Sequence, residues 1–467
     1  MKKLISMMAC LLFLVMFFFS PAITLKTASA SSNTAQVSYN EFTTEVNSIL
    51  TKFVTFDDRT PGSEGEKKAA YFIKDYLATN TRLQPVSNAH VDDGMQTFSF
   101  KSIFSGLYES SQNVIFSYKS TNQTEKKIIL ACNYDAVAFG LNEETGVYDS
   151  MKTEGVNTSA ASVSTLLAIA KFLAYQSIDC NIEFIFFGAS ESSNAGASIY
   201  SSGISDKQKE NILCMVNLDN VALGKKVYFY SDEIETNFSK FVKDLSSKKK
   251  LGLNQVNVAR LNKILFEYEN ELGLDYTHIA LENENKLFMK LGITSLNVFA
   301  GDYEEGIVIG RSEFADKDVV SYTQNDNLKY ITENFNFSSI NENLYVVYKS
   351  ISSILTDADL VSVLTKTQNS TNLFYLVFGN YQLVVYLTVV AFVLFVVIAM
   401  FVHYKLSVKA YHANVEVEFL SSVVKISEEI DKTGMDANVP KVVSQVLAND
   451  IKKDKVIKSK KVKKDKK

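Results

Sequence analysis

The chain has 467 residues, of which 46% are hydrophobic and 21% are charged, with four prolines and no tryptophan. This composition excludes an intrinsically disordered or collagen-like chain and predicts a globular protein with additional segments. The chain has a net charge of −4, and because positive charge is concentrated at its two ends, the segment 31–382 carries −13, which argues against nucleic acid as a partner.

The N-terminus has the pattern of a secretory signal peptide. Lys2 and Lys3 precede an apolar run at positions 4–19, which is followed by Pro21 and the small-residue sequence Ala-Ser-Ala at 28–30. An uncleaved membrane anchor is the alternative. Because the apolar run is short for a span and the small-residue pattern is well placed, we favour a cleaved signal peptide over residues 1–30.

Residues 31–372 predict one extracytoplasmic α/β domain. Ser63 and Glu66 have the spacing of a helix-capping box, and apolar residues with helical period follow them. Strand-like runs at 96–100, 113–118, 127–134, 181–188 and 214–222 alternate with helical segments. Further strands are predicted at 226–231 and 293–300, and further helices at 233–247, 282–292 and 340–355. Such alternation is typical of a largely parallel sheet covered by helices.

Polar residues follow three of these predicted strands at the point where each strand ends. They are Asn133 and Asp135, Ser190 and Glu191, and Asn217 and Asp219. In open α/β sheets, ligands bind beyond the carboxyl ends of the strands. The three pairs therefore predict a functional cleft, although polar loops that cap helices would explain any single pair.

Six segments, taken in order, resemble the co-catalytic di-zinc aminopeptidase family (peptidase family M28), to which glutaminyl cyclase and the transferrin receptor and nicastrin ectodomains also belong. The segments are RTPGSEGEKKAAYFIKDYL (59–77), ACNYDAVA (131–138), GVNTSAASVSTLLAIAKFL (155–173), FFGASESSNAGAS (186–198), VNLDNVA (216–222) and KLFMKLGIT (286–294). The resemblance covers about residues 40–355. It implies a three-layer zinc-exopeptidase-like fold with a mixed, mostly parallel central sheet.

The resemblance also implies a site in which two zinc ions, bridged by an aspartate, activate a water molecule. This chain departs from that pattern at four positions. Asn133 occupies the place of the first histidine ligand, Thr158 that of the bridging aspartate, and Tyr322 that of the last histidine. Ser190 replaces the glutamate that acts as general base. Each of these changes removes a zinc ligand or the group that accepts a proton.

Four acidic residues of the pattern are retained. Glu191 and Asp219 correspond to metal ligands, Asp135 corresponds to the residue that orients the first histidine, and Asp326 ends the last motif. One retained carboxylate for each metal binds zinc weakly. Of the four histidines, His90 and His278 lie before the predicted membrane span but match no ligand position.

These observations lead to two main hypotheses and to an expectation about cofactors. The first is a non-catalytic binding or adaptor protein, a pseudopeptidase whose partner is a peptide or protein at the cell surface. The alternative is an active zinc-dependent metallo-exopeptidase with an unorthodox site. No cofactor is expected under the first hypothesis and zinc under the second. The oxygen donors of Asn133, Thr158, Glu191 and Asp219 leave calcium open.

The C-terminal part predicts a membrane anchor. The uncharged run at 383–402 is long enough to cross about 30 Å of hydrocarbon, with Tyr381 and Tyr404 at its ends. A buried core helix is the less favoured alternative, because a core helix is rarely apolar on every side. We therefore predict a transmembrane helix at 381–403.

Residues 404–467 predict a cytoplasmic, lysine-rich tail. This segment has 15 Lys and Arg against 9 Asp and Glu, and the positive-inside rule places such a segment in the cytoplasm. The protein is thus expected in the cell membrane, with a single span and its N-terminal domain outside. A third hypothesis makes the outer domain a tether for a tail module, since an apolar stripe at 415–430 could bind a partner.

Overall fold

The computed structural model describes residues 37–56, 58–141, 148–173, 176–231, 236–256, 284–301, 320–374 and 381–433. The predicted signal peptide, His278 and residues 434–467 lie outside these ranges, as do parts of the predicted helices at 233–247 and 282–292. The chain divides into two compact units, residues 1–375 and residues 376–467, which are considered separately below.

Nine of the described strands form one mixed sheet. They are β1 (Gln84–Pro85), β2 (Met95–Lys101), β3 (Tyr108–Tyr118), β4 (Lys127–Asn133), β7 (Asn181–Phe187), β8 (Ile212–Leu218), β9 (Lys226–Tyr230), β10 (Leu253–Gln255) and β11 (Ser295–Gly301). Their order across the sheet is β1-β3-β7-β4-β8-β11-β9-β10, and β2 pairs with β3. The central strands β7, β4, β8 and β11 are mutually parallel, whereas β3 and β9 run antiparallel to their central neighbours. A separate hairpin consists of β5 (Ala138–Leu141) and β6 (Tyr148–Met151).

The helices follow the strands in the alternation that the sequence predicts. They are α1 (Tyr39–Phe53), α2 (Glu64–Asn80), α3 (Ala161–Leu173), α4 (Ala195–Ser202), α5 (Asp206–Asn211), α6 (Asn237–Lys249), α7 (Glu284–Lys290), α8 (Leu328–Asn334), α9 (Phe337–Leu355), α10 (Leu360–Phe374) and α11 (Tyr381–Thr433). The predicted start of α2 is confirmed, because the Ser63 hydroxyl accepts a hydrogen bond from the Glu66 N–H.

Helices cover both faces of the sheet and produce a three-layer domain. Alternate residues of β3 point to opposite faces, so Phe116 enters one core while Ile115 enters the other. The first core is covered by α1, α2, α3 and α9, and the second by α4 and α7. The predicted fold class, an α/β domain with a mixed, mostly parallel central sheet, is therefore confirmed.

A π-helical turn at Val156–Ala160 leads directly into α3. Gly155 precedes this turn with φ of 52°, and a Cβ atom there would lie 2.3 Å from the Ala136 Cβ. Only glycine fits this left-handed and crowded position. The turn places Asn157 and Thr158 below the carboxyl ends of the central strands, where the candidate site lies.

Two described helices are long and apolar enough to cross a membrane, and they differ in their surroundings. The helix at Val156–Leu173 is 94% buried in the domain, which identifies it as a core helix. The segment Thr388–Lys425 of α11 contains an apolar window in which no residue is buried in the structure. This segment is a candidate membrane span, and α11 extends beyond the predicted span of 381–403.

Candidate functional site

The parallel central strands bring the predicted polar pairs to one edge of the sheet. In the register of β4 with its neighbours, Asn133 lies opposite Phe187, and Ala131 lies opposite Asn217. The loops that follow β4, β7 and β8 therefore start side by side. The structure groups Asn133, Asp135, Ser190, Glu191 and Asp219 there.

The loop after β7 has an unusual backbone that is held from below by Glu66. Ala189, Ser193 and Asn194 all have positive φ, between 51° and 61°. The buried Glu66 Oε1 accepts hydrogen bonds from the Ala189 N–H at 2.8 Å and from the Ser111 hydroxyl at 2.7 Å. Its Oε2 accepts one from the Gly62 N–H at 2.7 Å. Glu66 thus fixes the backbone conformation that presents Ser190 and Glu191.

Glu66 also bears a perturbed charge. Burial raises the pKa of its carboxyl from the usual 4.5 to about 7, and the hydrogen bonds from Ser111, Gly62 and Ala189 oppose this increase. From the sequence, Glu66 was predicted only to be a helix-capping residue. Its position in the Gly-Glu sequence of the first motif was the one available signal of its second role.

Glu191 lies in a ring of carboxylates. Its main-chain N–H donates to Asp135 Oδ2 at 2.8 Å, while the Asn133 side chain donates weakly to Glu191 Oε1 at 3.4 Å. Burial raises the pKa of the Glu191 carboxyl well above its usual value, and the carboxylates of Asp135, Glu284, Asp219 and Asp326 raise it further. Close carboxylates cannot all ionise without repelling one another, so this group favours protonation or a bound cation.

Asp135 is fully buried and has a new role in this arrangement. Desolvation, followed by the nearby Glu66 carboxylate, raises the pKa of Asp135 well above its usual value. One of its oxygens holds the Glu191 N–H, and the other has no hydrogen-bond partner within the described residues. Asp135 therefore supports the loop of Glu191 by accepting its N–H.

Thr158, which the family resemblance assigns to the position of the bridging aspartate, forms a hydrogen-bonded pair with Asp326. Asp326 Oδ2 accepts the Thr158 hydroxyl at 2.5 Å and the Thr158 N–H at 3.0 Å, and Oδ1 accepts the Asn157 N–H at 2.6 Å. Burial raises the pKa of Asp326, whereas these hydrogen bonds and the charge of Arg59 lower it. The Asp326 carboxylate thereby satisfies the first N–H groups of the helical segment that begins at Val156.

Tyr322 is buried, follows the buried Ser321 and has φ of 63°. Burial raises the pKa of its phenol well above the usual value, and the charges of Glu191, Asp219 and Glu284 add to this effect. The phenol is therefore neutral throughout the physiological range. The neighbouring Asn220 side chain donates to Asp219 Oδ1 at 2.6 Å.

Glu284 belongs to the cluster but was missed by the sequence analysis. It is 4% exposed at the start of α7, and the Asn217 side chain donates to its Oε2 at 3.0 Å. The Ser190 hydroxyl lies close enough to lower the pKa of Glu284, yet it makes no hydrogen bond of ordinary geometry. The signal available was that Glu284 precedes the recognised motif at 286–294 by two residues.

The donors of this site do not match the requirements of a two-zinc centre. Protein zinc sites use Cys, His and carboxylate ligands in tetrahedral arrangements, and catalytic sites have three of them for each metal. Within the described ranges, no group of three or more His, Cys, Asp or Glu side chains is arranged to hold a metal ion. His90 lies on an exposed turn beside the start of β4, near Lys127 and Glu183.

Comparisons with known proteins support the family resemblance of the domain. Residues 113–336 match the family model described as peptidase family M28. The chain therefore contains an M28 peptidase-like domain. The resemblance that the six motifs predict is confirmed.

One curated relative is the alkaline phosphatase isozyme conversion protein of Escherichia coli strain K12. It is 28% identical over 155 residues, which is 33% of this chain and 42% of the relative. The chain thus matches well under half the length of this relative.

Solved structures of similar fold include a zinc aminopeptidase from Bacillus subtilis and a glutaminyl cyclase from Tannerella forsythia. The match to the aminopeptidase has a TM-score of 0.47 and 15% sequence identity, and it covers 68% of this chain and 96% of the aminopeptidase chain. The match to the glutaminyl cyclase has a TM-score of 0.46 and 15% sequence identity, and it covers 68% of this chain and 98% of the cyclase chain.

Proposed function

We propose that this protein is a membrane-anchored pseudopeptidase whose M28 peptidase-like domain binds a peptide or protein without hydrolysing it. The observation that carries this proposal is the bond of 2.5 Å between the Thr158 hydroxyl and Asp326 Oδ2. Threonine stands where the family resemblance places the carboxylate shared by both metals. The threonine hydroxyl donates a hydrogen bond to the carboxylate of Asp326 and so takes part in the internal hydrogen bonding of the domain.

The other substitutions support the same proposal. Neutral Asn133 and Tyr322 occupy the two histidine positions, and neither an amide nor a protonated phenol gives zinc the nitrogen or carboxylate donor it requires. The pKa of the Tyr322 phenol is raised by burial and by nearby carboxylates, which opposes its conversion to a phenolate ligand. We therefore assign no zinc-dependent reaction to this site.

Ser190 gives no substitute for the general base. A base must accept a proton near neutral pH, and a serine hydroxyl does so only with a neighbouring base to activate it. Ser190 is 9% exposed, and its hydroxyl has no hydrogen-bond partner of ordinary geometry within the described residues, so no base there is positioned to activate it.

The test is to purify the full chain, measure its zinc content and assay hydrolysis of aminoacyl-4-nitroanilides. We expect much less than one zinc ion per chain and no hydrolysis that a chelator abolishes. The control is the zinc aminopeptidase from Bacillus subtilis, purified and assayed identically, which shows that zinc and activity are retained through the procedure. Two zinc ions in the wild-type chain, with chelator-sensitive hydrolysis, would overturn the proposal.

A second candidate function is an active metallo-exopeptidase. It is favoured by the convergence of four carboxylates on Glu191, because such a cluster attracts cations. If this function is correct, the wild-type chain hydrolyses aminoacyl reporters and Glu191→Gln abolishes the activity. Equal background rates for both proteins would eliminate this candidate.

The proposal also includes an orientation of the chain in the cell membrane. We place the domain outside the cell, with residues 381–403 of α11 crossing the membrane and residues 404–467 in the cytoplasm. Support comes from the unburied apolar surface of Thr388–Lys425 and from the lysine-rich C-terminal end. A partner therefore reaches the site from the extracytoplasmic side.

A further inference from the structure

An exposed apolar patch lies on the loop between β2 and β3. Ile103 is 59% exposed, Leu107 is 68% exposed and Tyr108 is 81% exposed. Single exposed apolar residues are ordinary on protein surfaces, whereas two on one short loop and a third at the adjoining first residue of β3 mark a candidate interaction surface. These three residues are called the β2–β3 loop patch.

The β2–β3 loop patch is fixed to the candidate site. The Ile103 N–H donates to the hydroxyl of the buried Ser192 at 3.1 Å, and Ser192 directly follows Glu191. Below the loop, Phe98 and Phe100 of β2 pack against Ala189, the residue before Ser190. The patch and the carboxylate cluster are thus attached to the same seven-residue loop after β7.

The loop that carries the patch is also ordered by its own hydrogen bonds. The Ser102 N–H donates to the Leu107 carbonyl and the Gly106 N–H donates to the Ser102 carbonyl, each at 2.9 Å. The Ser102 hydroxyl accepts from the N–H groups of Phe104 and Ser105 at 3.3 Å. Because such a loop loses little conformational freedom on binding, its exposed side chains are suited to act as preformed contacts.

The cluster beside the patch favours a cationic ligand. The Glu191 N–H donates to Asp135 Oδ2 at 2.8 Å, and the negative charges of Asp135, Glu284, Asp219 and Asp326 act on the Glu191 carboxyl. The Ser190 hydroxyl is more than nine-tenths buried beside Glu284 and has no hydrogen-bond partner of ordinary geometry within the described residues. A ligand that brings positive charge and a polar contact would therefore relieve both the repulsion and the unsatisfied hydroxyl.

A lysine side chain fits these features better than an arginine side chain. Glu191 and Asp219 are partly exposed while Glu284 is buried, so the cationic group must reach into the cleft. Lysine has a flexible four-carbon stem and a compact ammonium with three donors that point in different directions. The guanidinium group of arginine presents its donors in one plane, which suits one carboxylate and not several around it.

We propose that the β2–β3 loop patch is a docking surface for a protein segment in which a lysine is flanked by apolar residues. The apolar side chains contact Ile103, Leu107 and Tyr108, and the lysine ammonium enters the carboxylate cluster around Glu191. This inference rests on the proposed peptide-binding function and specifies the partner by its chemistry.

The test uses the full-length chain in nanodiscs and fluorescence anisotropy with the peptide acetyl-Gly-Leu-Lys-Leu-Gly carrying a C-terminal fluorophore. Three comparison peptides replace the lysine by norleucine, the lysine by arginine, or both leucines by serine. We expect each replacement to weaken binding about tenfold or more, since either the ammonium contact or the apolar burial is lost. Glu191→Gln is expected to weaken binding of the parent peptide by a similar factor.

The matched protein variants are Ile103→Ser/Leu107→Ser in the patch and Tyr71→Ser/Ile199→Ser at exposed apolar positions elsewhere. The patch variant is expected to bind the parent peptide about tenfold more weakly and the serine peptide as the wild type does, while the second variant binds both normally. Circular dichroism of both variants checks their folding.

The outcomes separate the two proposals. If the wild type binds the parent peptide and the patch variant binds it equally well, the docking surface is overturned and peptide binding remains. If the norleucine or arginine version binds as tightly as the parent, the lysine assignment is overturned. If none of the peptides binds the wild type, both the docking surface and the proposed peptide-binding function fail.

Discussion

At the scale of single residues, the hydrogen bonds between Thr158 and Asp326 indicate that position 158 has a structural role in the candidate site. Asp326 Oδ2 accepts two hydrogen bonds from Thr158 and Oδ1 accepts one from Asn157, which together neutralise an otherwise costly buried charge. A threonine at 158 is therefore part of the folding chemistry of the domain. An aspartate at this position would need a cation between the two carboxylates.

Thr158→Asp is accordingly expected to destabilise the domain by about 3 kcal/mol or more, because it removes a donor and adds a buried like charge. The penalty is expected to be larger at pH 8 than at pH 5, since the two carboxyls can share a proton only at the lower pH. Thermal unfolding at both pH values measures it. Thr158→Ser, which retains the hydroxyl, is the control and should lose little; equal stability of Thr158→Asp and wild type at pH 8 would contradict this account.

Glu66 predicts a second pH dependence with a defined sign. Its pKa is raised from 4.5 to about 7 by burial, so between these values the folded chain retains a proton that the unfolded chain has lost. The contribution of Glu66 to stability therefore falls as pH rises from about 4.5 to about 7 and changes little above that. The full effect is about 3 kcal/mol, from 1.36 kcal/mol for each unit of pKa.

Glu66→Gln removes this titration. We expect the difference in unfolding temperature between wild type and variant to change in favour of the variant as pH rises from 5 to 7, whatever the variant's overall stability. Glu64→Gln, which changes an exposed glutamate two residues away on the same helix, should leave the pH profile of the wild type unaltered. Parallel profiles for wild type and Glu66→Gln would show that Glu66 does not titrate in this range.

At the scale of secondary-structure elements, the sequence predicted the central part of the sheet well. Strands β4, β7 and β8 are nearly continuous apolar runs because both of their faces are buried, and such runs end visibly at the first polar residue. The carboxyl edge and its polar pairs could therefore be located without coordinates. Helix α2 could be located because its capping residues are local in sequence.

Other features depend on tertiary contacts and could not be predicted in this way. The β5–β6 hairpin and the two-residue strand β1 carry little periodicity, and the π-helical turn at Val156–Ala160 arises from contacts with Asp326, which is far away in sequence. Glu66 and Glu284 enter the site from helices that precede and follow the strand ends. Their burial beside Ala189 and Asn217 follows only from the packing of the three layers.

Helix α4 predicts a strong dependence on glycine at one position. A Cβ atom on Gly196 would lie 2.3 Å from both Asn113 Oδ1 and the Gly188 carbonyl oxygen, so the helix backbone packs directly on β3 and on the loop after β7. Gly196→Ala is expected to destabilise the domain by about 2 kcal/mol or more, since backbone must move to admit the methyl group.

Gly203→Ala, at the end of the same helix, is the matched control for this prediction. The nearest atom to its new Cβ would be the Tyr200 carbonyl oxygen at 3.5 Å, which is an ordinary contact. Its unfolding temperature should therefore stay close to that of the wild type. A similar loss of stability in both variants would contradict this account, because helix propensity favours alanine at both positions and only Gly196 is closely packed.

At the scale of the whole molecule, charge is distributed unevenly along the chain. Residues 404–467 contain 15 Lys and Arg against 9 Asp and Glu, whereas the segment 31–382 has a net charge of −13. The apolar part of α11 lies between these two segments. In the proposed orientation the positive segment lies in the cytoplasm and the acidic domain on the outer side, where its charge would attract the proposed lysine-bearing partner.

This arrangement predicts the result of protease protection. A protease added to intact spheroplasts should digest the domain at 31–372 and leave an epitope placed after Lys467 intact, because the tail is behind the membrane. The tail fragment should remain in the membrane pellet after alkaline extraction, held by α11. Permeabilised spheroplasts are the control, in which both the domain and the epitope should be lost. Loss of the epitope from intact spheroplasts, with the domain protected, would reverse the orientation and place the carboxylate cluster out of reach of any extracellular partner.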